Sequence, residues 1–313
     1  MTCFLRPSLV LLAALVLMQA PVLAQAPAAQ PAAAAAAPVP PTLQKIRQSG
    51  VIVLAHRENS VPFSYLDGNK RPIGYSMDLC GLVVEAVRRE LKMPNLRTEY
   101  LMVSSADRIP SLLSGRADLE CGSTTNTPER RQQVAFTMTH FFAFGRLLVR
   151  SDAKAQRLVD LWGQTIVVNR GSTHARELAR RIERTGMSIR TIEAPDASEA
   201  FALLQQGLAQ AYLNDDILLA GLRASSERPE AWRLAEEILS VEVLAIMLRR
   251  DDPEFKRLVD TTIGRYMVDG QIRSLWRRWF ESPIPPGNRT LGVPMSALMR
   301  DQVRFPTVEE GLR

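Results

Sequence analysis

The chain has 313 residues, 46% of them hydrophobic, which is enough to build two domains each with its own core. Its formal net charge is only +6, with the arginines scattered along the chain rather than massed, which makes nucleic acid an unsuitable partner. Three cysteines with no nearby Cys/His spacing give no support to a metal centre, and no cofactor motif is present.

Residues 1–24 carry a single charge, Arg6, then an apolar run over 9–18 and a small-residue end at Val22-Leu23-Ala24. The run is too short to span a bilayer and has the form of a secretory signal cleaved near Ala24. Cleavage removes Arg6 alone, so 39 − 1 = 38 basic residues face 33 acidic ones and the mature chain keeps +5. Residues 25–41 are Ala- and Pro-rich and uncharged, the composition of a tether. With Cys3 in the signal, Cys80 and Cys121 remain. In an oxidising compartment they either pair or stay as two buried thiols, and spacing leaves both readings open.

Residues 51–55 read as a buried strand, followed by His56-Arg57-Glu58-Asn59 at its carboxyl end, where open α/β sheets bind ligands. Residues 63–75 read as a hairpin turning at Asp67-Gly68, and Ser76 as the cap of a helix with Leu79, Leu82, Val83, Ala86 and Val87 on one face. A strand at 98–103 then leads to a helix ending at Gly115, with Ser105 as cap and Arg108 in its first turn. A cation is badly placed for the dipole at that end of a helix, which points to another use. The stretch DLECGSTTNTPERRQQVAF, residues 118–136, concentrates the groups that suit a carboxylate. Small polar residues after a strand offer N–H and hydroxyl donors at Ser123-Thr124-Thr125, and Thr127-Pro128 starts a helix that presents Arg130, a bidentate fork for a carboxylate.

A second βα series begins after an apolar strand at 145–150. The strand 166–169 ends in Arg170-Gly171-Ser172-Thr173, a second corner suited to an anion as well as a plain helix cap. Residues 189–192 read as a strand and 198–206 as a helix. The strand 211–213 delivers Asn214-Asp215-Asp216, two carboxylates that serve either as a helix cap and its neighbour or as the counter-charge of an ammonium. Residues 241–248 are apolar and strand-like, and Asp252-Pro253 opens the last helices, where Trp276, Trp279 and Phe280 suit core or lid packing. Strands alternate with helices throughout, which defines an α/β fold.

The ordered segments HRENSVPFSY, GYSMDLC, SADRIPSLLSGRADLECGSTTNTPERRQQVAF, RGST, AYLNDDILLAG and MLRRDDPEF resemble the periplasmic glutamate/aspartate-binding proteins of ABC transporters, over nearly all of 42–288. The resemblance implies a type II two-lobed binding protein whose strands at 145–150 and 241–248 cross between lobes. The implied division is residues 42–144 with 245–290 for one lobe, 145–244 for the other, and a tail at 291–313. It also implies an acidic amino acid as ligand, a membrane permease as partner, a periplasmic location and a monomer. Residue by residue, Arg130 with Ser123 and Thr125 would hold the α-carboxylate, with Ser172 and Thr173 adding donors from the second lobe. Asp215 would take the ammonium, and Arg57, Ser105 and Arg108 the side-chain carboxylate. Two departures stand out. Ala197 replaces a His near the ligand, which implies a looser side-chain subsite. Ile246 replaces a Cys that in some members pairs with the equivalent of Cys121, which leaves Cys80 as the partner.

Three arginines against Asp215 give +2, a count that favours a ligand of net −1. The competing class is an enzyme, since the fold also resembles periplasmic cyclohexadienyl dehydratases and lobes of murein lytic enzymes. Glu58, Glu120 and His56 would be its acid candidates, but no paired-carboxylate or nucleophile arrangement supports them.

Overall fold

The computed structural model describes residues 2 and 41–307, so the expected signal and tether lie almost wholly outside the described residues. Two sheets organise the remainder. The first has five strands in the spatial order Arg97–Met102, Val51–His56, Leu119–Glu120, Met247–Arg249 and Val134–Phe136. The second has six. Arg190–Ala194, Thr165–Asn169, Ala211–Asp215, Phe141–Arg150 and Trp232–Leu234 lie in that order, and Ser240–Leu244 also pairs with Phe141–Arg150.

Alternation along the strands supplies both faces of each sheet. Leu54 joins the large core built by Leu79, Val83, Val87, Val259 and Ile263, whereas its neighbour Ala55 faces Leu112 and Val134 on the other side. In the second sheet Val167 packs with Leu148 and Tyr212, while Ile166 and Val168 pack with Leu147 and Leu213. The chain therefore folds as two α/β lobes.

Two connections join them side by side. The strand Phe141–Arg150 begins earlier than the apolar run suggested, and its first half pairs antiparallel with Ser240–Leu244, from Phe141 with Leu244 to Gly145 with Ser240. Its second half pairs with Ala211–Asp215. The returning segment is two strands rather than one, because after Leu244 the chain leaves the second sheet and Met247–Arg249 enters the first.

Several expected caps fall elsewhere. The helix Tyr75–Leu91 is preceded by Gly74 at φ 135°, where a Cβ would lie 2.2 Å from the Phe63 carbonyl oxygen, so no other residue suits the position. Ser76 instead donates to the Gly122 carbonyl at 2.8 Å, tying the helix to the 118–136 stretch. Asp107, not Ser105, precedes the helix Arg108–Leu113. Thr127 and Ser172 do cap, accepting from the N–H groups of Arg130 and Ala175. Trp276, Trp279 and Phe280 are core residues, with Trp276 stacked on Phe141 at 5.1 Å. The helix Ala297–Arg304 adds Met299 and Val303 to the same core, which the sequence past residue 290 did not reveal. Cys80 and Cys121 form a disulfide with Cα atoms 6.2 Å apart, fastening the first long helix to the strand end that carries Ser123.

Candidate functional site

The carboxyl ends of strands from both sheets converge on a narrow cavity of about 30 Å³. Arg57 follows Val51–His56, Ser105 and Arg108 stand at the start of Arg108–Leu113, and Ser123 and Thr125 follow Leu119–Glu120. From the other lobe come Ser172 and Thr173 at the start of Thr173–Thr185, and Asp215 at the end of Ala211–Asp215. Ala197 lines the wall near Arg57.

Arg130 departs from its expected place. It is buried beside the cavity but does not line it, because the single turn Pro128–Arg131 aims its guanidinium at two carbonyls. It donates to Thr125 O at 2.8 Å and to Gly171 O at 3.4 Å, one in each lobe. Burial, with Arg176 next in effect, lowers its pKa to about 10.

The first lobe brings two cationic groups to the cavity. Arg57 and Arg108 are both buried, and the Nε of each has no hydrogen-bond partner among the described residues. Burial lowers the pKa of both, further for Arg108, on which Arg130 also acts. Arg108 Nη1 donates to the Thr124 hydroxyl at 2.5 Å, and that hydroxyl donates to Glu120 Oε2 at 2.7 Å. Glu120, weighed as an acid on sequence, is thus a fully buried counter-charge behind the arginines.

The second lobe brings an anionic group. Asp215 occupies the cap position of Asp216–Ser225 without making a cap bond, and its Oδ1 meets His174 Nε2 at 3.0 Å. Asp216 Oδ1 instead accepts the N–H groups of Phe144 and Ile217. Beyond His174 lies Glu242, whose Oε2 accepts the hydroxyls of Thr125 at 2.6 Å and Thr173 at 2.9 Å, and whose Oε1 accepts that of Ser240 at 2.6 Å. The two threonine hydroxyls expected to face a ligand are therefore directed at Glu242. The N–H of Thr173, first in its helix, remains as a donor.

Neither His174 nor Glu242 was a sequence candidate. Each left a trace: His174 directly follows the anion-friendly RGST corner, and Glu242 is the single charge in the apolar run 241–248. Adding Glu120 and Glu242 changes the charge count. Three arginines now face three carboxylates, a balance of zero before His174 is counted. Ligand atoms of His174, Asp215 and Glu242 lie within 4.8 Å of one another, a spacing that a metal could use. The bond between His174 and Asp215, and the three hydroxyls on Glu242, account for the cluster without one.

Residues 52–282 match the family model of bacterial extracellular solute-binding proteins, family 3. The chain belongs to that family. It is 40% identical over 265 residues to the glutamate/aspartate import solute-binding protein of Salmonella typhimurium, covering 85% of this chain and 88% of that protein. The same figures hold for the Escherichia coli K12 protein of that name. The L-glutamate/L-aspartate-binding protein of Pseudomonas aeruginosa is 39% identical over 267 residues, again with 85% and 88% coverage. Among solved structures, a mutant of ArgBP from T. maritima superposes with a TM-score of 0.68 at 23% identity, covering 77% of this chain and 99% of that one. An ancestral amino acid-binding protein, described as a precursor of cyclohexadienyl dehydratase, gives 0.65 at 22% identity, with the same coverage. Both show the type II fold. This solute-binding protein's matching relatives are transport proteins, and a dehydratase is not favoured.

Proposed function

We propose that this solute-binding protein captures glutamate or aspartate in the periplasm and delivers it, as a monomer, to the membrane permease of an ABC transporter. The observation that carries the reading is the charge that lines the cavity: two buried arginines with unpartnered Nε groups from the first lobe, and Asp215 from the second. Glu120 offsets one of the two guanidinium charges, so a ligand that brings a carboxylate to the arginines and an ammonium to Asp215 gains at both. Support also comes from the names of relatives about 40% identical. In this reading Arg57, Ser105 and Arg108 hold the side-chain carboxylate. Ser123, Thr125, Ser172 and Thr173 surround the α-carboxylate, and Arg130 stands behind them with two of its five N–H groups engaged. Residues 42–144 with 245–290 act as one lobe and 145–244 as the other, after an exported precursor loses residues 1–24. Calorimetry of the mature protein against the common amino acids tests this. Glutamate and aspartate should bind at least tenfold more tightly than any neutral or basic amino acid. Preference for another class would overturn it.

A further inference from the structure

We propose that Glu242 and His174 belong to the amino-group end of the ligand site: Glu242 clasps both lobes from the returning strand, and His174 carries a proton that is linked to capture of an acidic amino acid. This rests on the functional reading above and extends it to two residues outside the set already assigned.

Glu242 is buried on Ser240–Leu244, and one of its oxygens accepts hydroxyls from opposite lobes, Thr125 from one and Thr173 from the other. Both threonines also line the cavity. A carboxylate accepting three hydroxyls is held in its ionised form, and a buried anion needs a counter-charge. His174 supplies it. Its Nε2 is 3.0 Å from Asp215 Oδ1 and its Nδ1 is 3.9 Å from Glu242 Oε1, so one ring lies between two buried carboxylates. A neutral ring donating to Asp215 would turn the lone pair of Nδ1 toward Glu242, whereas the imidazolium presents an N–H to each.

The groups that act on His174 are Asp215 from Ala211–Asp215, Glu242 from Ser240–Leu244 and Arg130 from Pro128–Arg131. Burial pulls the imidazole pKa down. The hydrogen bond and charge of Asp215, together with Glu242, outweigh burial and the smaller effect of Arg130 and raise it above the usual histidine value. Charge then decides the consequence. Arg57, Arg108 and Arg130 balance Glu120, Asp215 and Glu242, so a neutral His174 leaves a site of zero charge, suited to a zwitterion of no net charge. A protonated His174 leaves +1, which matches the −1 of glutamate or aspartate. Proton and acidic ligand therefore bind with positive linkage.

The test is calorimetry of the mature protein with L-glutamate in buffers of different ionisation enthalpy, with EDTA throughout so that no divalent ion at the same three groups contributes. Above neutral pH, binding should take up a fraction of a proton, and affinity should fall with rising pH by up to about tenfold per unit. His174→Gln should bind glutamate with a flat pH profile and no proton uptake, and should narrow the preference for glutamate over glutamine. Glu242→Gln, which keeps an oxygen for the threonines, should also reduce the uptake. Tight glutamate binding by the unmodified protein with no uptake, or with proton release, overturns the inference and leaves the functional reading intact. Failure of that protein to bind any acidic amino acid overturns both.

Discussion

The side-chain amide of Asn59 donates to the Ser198 hydroxyl at 2.8 Å, joining a small three-stranded sheet, Asn59–Ser60 with Ser64–Leu66 and Pro72–Ile73, to the helix Ala197–Gln205 of the second lobe. A tighter contact lies at Gly221, where a Cβ would come within 2.6 Å of the Val61 carbonyl oxygen. Backbone on both sides leaves no flexible atom to yield. Gly221→Ala should therefore wedge the lobes apart without disturbing either core. An overpacking cost of about 1–3 kcal/mol corresponds to a loss of roughly one to two decades in glutamate affinity. Small-angle scattering at a fixed ligand concentration should show a larger radius of gyration for the variant, and unchanged affinity would show that the lobes do not meet here in the bound state.

Arg108 and Asp215 reach the cavity from different lobes and carry opposite charges, so truncating Arg108 should affect ligands unequally. Arg108→Ala removes a charged partner worth about 1.5–3 kcal/mol to glutamate, one to two decades in affinity, and costs glutamine much less. It also leaves Glu120 buried without its relay through Thr124. Stability should be measured alongside binding for that reason. Equal losses for glutamate and glutamine would place the side-chain carboxylate elsewhere.

The disulfide closes a loop of 41 residues between Cys80 and Cys121. Constraining that loop in the unfolded chain stabilises the fold by about 2–4 kcal/mol, so urea unfolding with and without reductant should differ by that amount. Coincident midpoints, with reduction verified by thiol titration, would show that the bridge adds no stability.

What was legible in the sequence follows from local signals. The βα alternation, the strand ends at Arg57 and Asp215, and the caps at Thr127 and Ser172 each depend on a few neighbouring residues, and the structure places them accordingly. Ser76 and Ser105 misled because a serine before a helix has two uses, and here tertiary partners decided: Ser76 reaches Gly122, and Ser105 faces the cavity. Glu242 and His174 were hidden for a different reason. Their significance depends on meeting Thr125 and Asp215, 117 and 41 residues away, and no local pattern encodes such a meeting. The charge count failed with them, since two of its carboxylates lay on stretches read as plain strand.

His140, where the chain enters the first crossing, gives the last prediction. Its ring is fully buried near Phe63 and Tyr75, and neither ring nitrogen has a hydrogen-bond partner among the described residues. Its backbone is pinned, the N–H donating to Leu244 O at 3.0 Å and the carbonyl accepting the Tyr75 hydroxyl at 3.1 Å. Burial pushes its pKa down to about 3, against 6.5 in the unfolded chain. Between those values the unfolded chain binds the extra proton, so stability falls as pH falls, by about 1.4 kcal/mol per unit. From pH 6.5 to 5 the loss is about 2 kcal/mol. His174 has the opposite sign: its raised pKa contributes stability that is full below pH 6.5 and is lost as pH rises through the folded value, so it cannot imitate this acid limb. His140→Phe keeps an aromatic ring among aromatic neighbours and removes the titration. Urea unfolding at pH 5, 6 and 7.5 should show the variant gaining on the unmodified protein as pH drops, by about 2 kcal/mol at pH 5 relative to pH 7.5. Parallel profiles would mean that His140 takes up its proton without unfolding.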